Sequence, residues 1–269
     1  APDTDTLIVN TQTNAEELPL PDLDIAIDPS SNKPEETAKT FTVRTNLYTA
    51  AISNINGASI SSYVLHNYAL NDSAQGELID DNNVNNLMVG FRSTDGDDIS
   101  LSGGWVSDNE YDINIYDRET TILFSKYVDD KQITKSLTFY PNKYVIDMTL
   151  DLSEIHRWVS QGASTIVWPG GLPLTEPNKN DEQTYYQAMV FQGDETYTPK
   201  PQKPTPAKLE RMDYPTDWIA IRTKYFTASL IPSMPSDIRR STLSTEPDSI
   251  EVYNSSFAVS YTHLRAHET

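Results

Sequence analysis

From Phe41 onward, apolar side chains return at every second residue. Phe41, Val43, Thr45 and Leu47 alternate with Thr42, Arg44 and Asn46. Successive side chains of an extended chain point to opposite sides, so this spacing lines one face of a half-buried strand. A helix needs a spacing near 3.6, which these residues do not give. Further strands are expected over Ala51–Ile55, Ala58–Val64, Asn86–Phe91, Tyr111–Tyr116, Thr121–Tyr127, Ile133–Tyr140, Tyr144–Leu152, Ser164–Trp168, Tyr185–Phe191, Trp218–Thr223, Phe226–Ile231 and Ile250–Phe257. Turn residues separate them. Asn56-Gly57 predicts a tight turn because both residues tolerate positive φ, and Tyr140-Pro141-Asn142-Lys143 predicts the joint of a hairpin. Pro169-Gly170-Gly171 stops a strand. Helix signals are confined to Ser153–Ser160 and Pro235–Ser241, a turn or two each. Many strands with no long helices between them predict an all-β chain, folded as a large antiparallel β-sandwich.

Residues 1–40 read as a separate, acidic linker. Prolines 2, 19, 21, 29 and 34 block regular pairing, and repelling carboxylates keep such a segment extended and solvated. Within it, Leu20–Ile27 alternates and is able to dock as an edge strand. Because the chain opens on Ala1, removal of an upstream signal or anchor segment is the expectation. Residues 41–258 form the expected sandwich domain. Residues 259–269 break the pattern and are expected to be non-native.

The formal net charge of -19 repels nucleic-acid phosphates and anionic headgroups, so neither is an expected partner. The chain has no cysteine, which removes disulfides and thiolate sites. Four histidines offer proton-transfer or metal chemistry. His66 follows a strand end and His156 sits in an exposed turn. His263 and His267 have helical ligand spacing without a third ligand. Among the acidic residues, Glu110 and Glu176 lie beside aromatic or Trp-Pro segments and are the carboxylates to watch for sugar chemistry. Asp95-Gly96-Asp97-Asp98 lacks the spaced ligands and closing Glu of a calcium loop. No phosphate-binding, nucleophile-elbow or zinc-protease motif occurs. Trp105, Trp158, Trp168 and Trp218 read as core packing with some half-exposed rings. No catalytic residue, metal or cofactor is expected.

One segment is more specific. Asp217-Trp218-Ile219-Ala220-Ile221-Arg222-Thr223-Lys224-Tyr225-Phe226-Thr227-Ala228-Ser229-Leu230-Ile231-Pro232 resembles a signature in the large periplasmic domain of YidC-type membrane-protein insertases. Its matching positions are Trp218, Ala220, Tyr225, Phe226, Ile231 and Pro232. Ala51–Ile60, with Asn56 and Gly57 at the turn, resembles that family's first hairpin, although Ala58 stands where a second Gly is usual. Ile133–Phe139 with Tyr144–Met148 resembles its central hairpin.

The resemblance implies a galactose-mutarotase-like supersandwich and a non-enzymatic role. It implies a domain on the periplasmic face of the bacterial inner membrane, acting as scaffold and docking surface while absent membrane helices insert substrates. The implied partners are the Sec translocon and SecDF-type accessory proteins, the membrane-embedded remainder of the chain, and nascent membrane proteins. The alternative is a carbohydrate-binding or mutarotase-like sandwich, which needs His66 or His156 beside Glu110 or Glu176 in a concave pocket.

Overall fold

The computed structural model describes residues 38–261, apart from 71–73, 82, 108, 110, 179–180, 183, 199–207, 214 and 248–252. Nineteen strands build four sheets among these residues. The first has the order β4(Ala74–Glu77), β3(Ser59–Leu70), β2(Tyr48–Ser53), β1(Thr40–Arg44), β8(Ile113–Asn114). The second runs β11(Ile146–Asp151), β10(Lys131–Phe139), β9(Thr120–Val128), β7(Val106–Ser107). The third runs β15(Lys208–Met212), β18(Ile238–Pro247), β19(Tyr253–Tyr261), β12(Val159–Trp168), β5(Met88–Ser93), β6(Asp98–Ser100). The fourth runs β14(Glu195–Tyr197), β13(Gln187–Gln192), β16(Trp218–Arg222), β17(Thr227–Leu230). Of the described pairings, β1 with β8 is parallel and the others are antiparallel.

One apolar core serves all four sheets. It gathers Val43, Tyr48 and Ile52 from the first, Phe124, Leu137 and Phe139 from the second, Val89, Ile166 and Leu243 from the third, and Val190, Ile219 and Ile221 from the fourth. The Phe41 and Phe124 rings stack at 5.7 Å and tie the first sheet to the second. The result is an all-β sandwich whose inner faces follow the period-two alternation, as in β10, where Ile133, Lys135, Leu137 and Phe139 are buried and Thr134, Ser136 and Thr138 half-buried.

Three sequence expectations are corrected. The continuous strand Phe41–Leu47 breaks after Arg44. Thr45 Oγ1 accepts hydrogen bonds from Leu47 N and Tyr48 N at 3.1 Å each, and the chain turns back as β2. That is the local turn a threonine side chain offers in competition with a ladder. Tyr111–Tyr116 shrinks to the two residues of β8, and Asp112 Oδ1 instead accepts from Thr42 N at 2.8 Å. Both helical stretches reduce to single 3-10 turns, Ser153–Ile155 and Pro235–Asp237, and β12 and β18 start soon after.

The start of the expected domain falls at the first residues of β1, and its expected end at 258 falls inside β19. That strand runs to Tyr261, paired with Ser164 on one side and Ile238 on the other. Residues 1–37, including Leu20–Ile27, and 262–269, including His263 and His267, lie outside the described residues.

Candidate functional site

The most unusual chemistry in the interior belongs to Lys135. It occupies the inward phase of β10, between Phe124 and Leu150 on the neighbouring strands, and is fully buried. Its Nζ donates to the carbonyls of Gly57 at 2.8 Å, Ala58 at 2.9 Å and Leu87 at 2.8 Å. An ammonium has three N–H donors, and all three are used. Burial pushes its pKa down to about 7; the three facing carbonyl dipoles favour the charged form and act the other way.

The carbonyls belong to two strained turns. Asn56, Gly57 and Ala58 sit at φ 57, 81 and 56, and Leu87 at φ 55. Positive φ is costly for a residue with a Cβ, so Ala58 and Leu87 need outside support. Asn86 supplies more of it. Its Oδ1 accepts from Ile60 N at 3.0 Å, and its Nδ2 donates to Ile60 O at 2.8 Å and Asn83 O at 2.7 Å. Asn83 Nδ2 in turn donates to Gly171 O at 2.9 Å. Lys135, Asn86 and Asn83 thus bind the first hairpin, the loop before β5 and the Gly171 bend into one internal network. This network faces no solvent and is a brace.

The surface carries the other features. A shallow cleft of about 210 Å³ lies between Lys39 and Phe41 at the start of β1, Asn54 after β2, and Trp105, Val106 and Ser107. Small-molecule sites run to roughly 300–1,000 Å³, so this one is too small to enclose a drug-sized ligand. Trp105 is fully buried and donates through Nε1 to Leu101 O at 2.9 Å, so it forms the floor of the cleft.

The two described histidines turn to local partners. His66 Nε2 lies 2.8 Å from Thr49 Oγ1 and its Nδ1 3.3 Å from Asn46 O, while His156 Nδ1 lies 2.6 Å from Ser153 O. Glu176 meets Glu182 through its own backbone, its N–H donating to Glu182 Oε2 at 2.8 Å. Glu110 lies outside the described residues. The arrangement that a sugar-active site requires is therefore not assembled from these histidines and Glu176. Among the described residues no group of three or more His, Cys, Asp or Glu is placed to hold a metal ion.

The sequence profile of the YidC periplasmic domain matches this chain over residues 40–268, which takes in every strand described above. The chain belongs to the YidC periplasmic domain family. Its relatives include the proteins named "Membrane protein insertase YidC" from Chlorobium luteolum, 26% identical over 73% of this chain and 34% of the relative, and from Chloroherpeton thalassium, 28% identical over 72% and 33%. The protein of the same name from Chlorobaculum tepidum is 27% identical over 75% of this chain and 35% of the relative. The chain spans about a third of the length of these curated relatives.

In this YidC periplasmic domain the signature residues divide between packing and exposure. Trp218 is half-buried on β16 and stacks on Phe191 at 5.6 Å, the planes 10° apart. Ala220 is buried between Met189 and Ser229, and Pro232 is buried after β17. Phe226 is half-buried and meets Tyr68 edge-on at 5.9 Å. Asn56 and Gly57 form the braced turn. Tyr225 and Ile231, at 59% and 67% exposure, face solvent. Lys224 lies 5.2 Å over the Tyr225 ring and pairs with Asp181 at 2.7 Å. The brace went unnoticed in the sequence, although its signal was there: Lys135 shares the parity of Ile133, Leu137 and Phe139.

Proposed function

We propose that this chain is the extracytoplasmic domain of a membrane protein insertase. It sits at the periplasmic face of the inner membrane as a scaffold and docking surface for Sec-type accessory proteins, with no catalysis of its own. The carrying observation is the profile match over residues 40–268 together with relatives about twice as long named as membrane protein insertases. Two further observations support the division of labour. Among the described residues no helix is long and apolar enough to cross a membrane. Lys135 and Asn86 are spent on bracing turns, and the described histidines on local backbone and hydroxyl groups. Insertion of hydrophobic segments is then the work of membrane-embedded parts of a longer polypeptide.

The test is co-purification from membranes of the longer gene product, with and without the segment 40–261, together with reporter insertion. Loss of Sec accessory proteins on deletion, with insertion retained, is expected. Recovery of those proteins no better than with an unrelated acidic domain overturns the docking role.

A further inference from the structure

The loop that follows β17 presents apolar side chains to solvent in an otherwise acidic molecule. Ile231 is 67% exposed and Met234 47%. From Phe226 to Ser236 no side chain is charged, in a chain where 22% of residues are. Such a stretch loses no charge hydration when it leaves water, unlike most of this surface.

The loop is also held in shape. Pro232 is buried, Pro235 opens the 3-10 turn Pro235–Asp237, and Asp237 N donates to Met234 O at 3.0 Å. Leu230, just before the loop, pairs with Ile219, so Ile231 stands at the end of the fourth sheet where Trp218 stacks on Phe191. Ile238, just after it, pairs with Tyr261, the last described residue of β19. Tyr261 therefore lies in the third sheet beside this loop.

We propose that the Ile231–Met234 loop rests in the headgroup–acyl boundary of a lipid bilayer. The proposal deepens the reading of the chain as a membrane-held domain. Ile231 and Met234 protrude on a stiff, uncharged loop, which is the form that enters an interface, and the half-buried Trp218 and Phe191 supply interfacial aromatic rings at the same sheet end. The net charge of -19 selects a zwitterionic surface over an anionic one.

The absence of cysteine makes the test clean, because a single cysteine can carry an environment-sensitive fluorophore. The full 269-residue chain is labelled in turn at Ile231, Met234 and the exposed controls Tyr116 and Leu123. It is held on phosphatidylcholine vesicles by a terminal histidine tag and nickel-chelating lipid, with the tag placed first after Thr269 and then before Ala1. Blue-shifted emission and several-fold stronger quenching by doxyl-labelled lipid at 231 and 234 than at 116 and 123, with either tag, is the expected result. Equal quenching at all four positions, or none, overturns the proposal. So does shielding of 231 and 234 without vesicles in a chain that runs as a dimer, which would assign the loop to a second copy. An Ile231→Asp, Met234→Asp double variant labelled at Ser233 should lose the quenching while keeping its melting transition. If quenching fails while Sec accessory proteins still co-purify, the bilayer contact is wrong and the docking role stands.

Discussion

The Nζ of Lys135 donates to the carbonyl of Gly57 at 2.8 Å across 78 residues of sequence. The same nitrogen holds Ala58 and Leu87. A fully buried cation without a carboxylate is normally destabilising, so its retention here rests on saturating three backbone acceptors that water cannot reach. Replacing it with an apolar side chain of similar length removes the charge but orphans those carbonyls. Each orphan costs on the order of 1–3 kcal/mol. Lys135→Met should therefore lower the unfolding free energy by about 3 kcal/mol or more, read as a fall in urea midpoint with unchanged slope. An unchanged midpoint would mean that the carbonyls find other donors.

The same lysine predicts a pH dependence. Its pKa is lowered to about 7 in the fold and is about 10.4 in an unfolded chain. Between these values the unfolded state binds more protons, so stability rises with pH through that window, by at most about 1.4 kcal/mol per unit. The carbonyl dipoles reduce the rise without reversing it. Above about pH 10 the buried tyrosines take over. Burial raises the pKa of Tyr48 and Tyr63, and pushes Tyr186 up to about 12, so the stability they contribute is lost as pH climbs through those raised values. Urea midpoints measured from pH 7 to 10 should climb in the natural sequence and climb less in Lys135→Met.

Much of this architecture was legible in the sequence because alternation reports burial directly. The β9–β10–β11 meander falls where Thr121–Tyr127, Ile133–Tyr140 and Tyr144–Leu152 were expected. β18 was not legible. Its Ser241-Thr242-Leu243-Ser244-Thr245 run has little apolar contrast, yet it lies between β15 and β19, where backbone pairing on both sides holds it. Lys135 was hidden for a different reason: a lysine at an inward position is read as an exception to the pattern, and its three acceptors come from two turns far away in sequence. The turn itself was legible at Asn56-Gly57, while the positive φ of Leu87 has no signal in its own residue type.

Asn86 makes a second testable brace. It satisfies both the N–H and the C=O of Ile60, and it is fully buried. Asn86→Ala leaves both backbone groups without a partner and opens a small void. A loss of about 2–4 kcal/mol is expected. Hydrogen exchange at Ile60 N should accelerate well before global unfolding, and protection equal to the natural sequence would argue that water enters and replaces the amide.

The tryptophans should separate by burial. Trp105 has no exposure and a bonded indole N–H, so Trp105→Ala should cost about 3–5 kcal/mol. Trp218 is half-buried and rests on one ring, Phe191, so Trp218→Ala should cost about 1–2 kcal/mol, mostly lost apolar contact. Thermal melts of the two variants give the order directly. A larger loss for Trp218 would place the outer face of the fourth sheet inside a covered interface.

Gly57 carries one of the three carbonyls that Lys135 holds. A Cβ there would meet Met88 Cα and Cγ at 3.5 Å and Leu101 O at 3.6 Å, which is ordinary contact, so space does not forbid a side chain. The backbone does, since φ is +81 and an L residue there costs roughly 1–2 kcal/mol. Gly57→Ala should lower stability by about that amount. If Lys135 is what holds the turn in this conformation, the strain is borne only while the lysine is present. In a Lys135→Met background the turn is free to relax, and Gly57→Ala should then cost less, with a coupling of about 0.5–3 kcal/mol in a double-mutant cycle. Strict additivity would show that the turn keeps its shape without the ammonium, and that the three hydrogen bonds follow the conformation of the turn without imposing it.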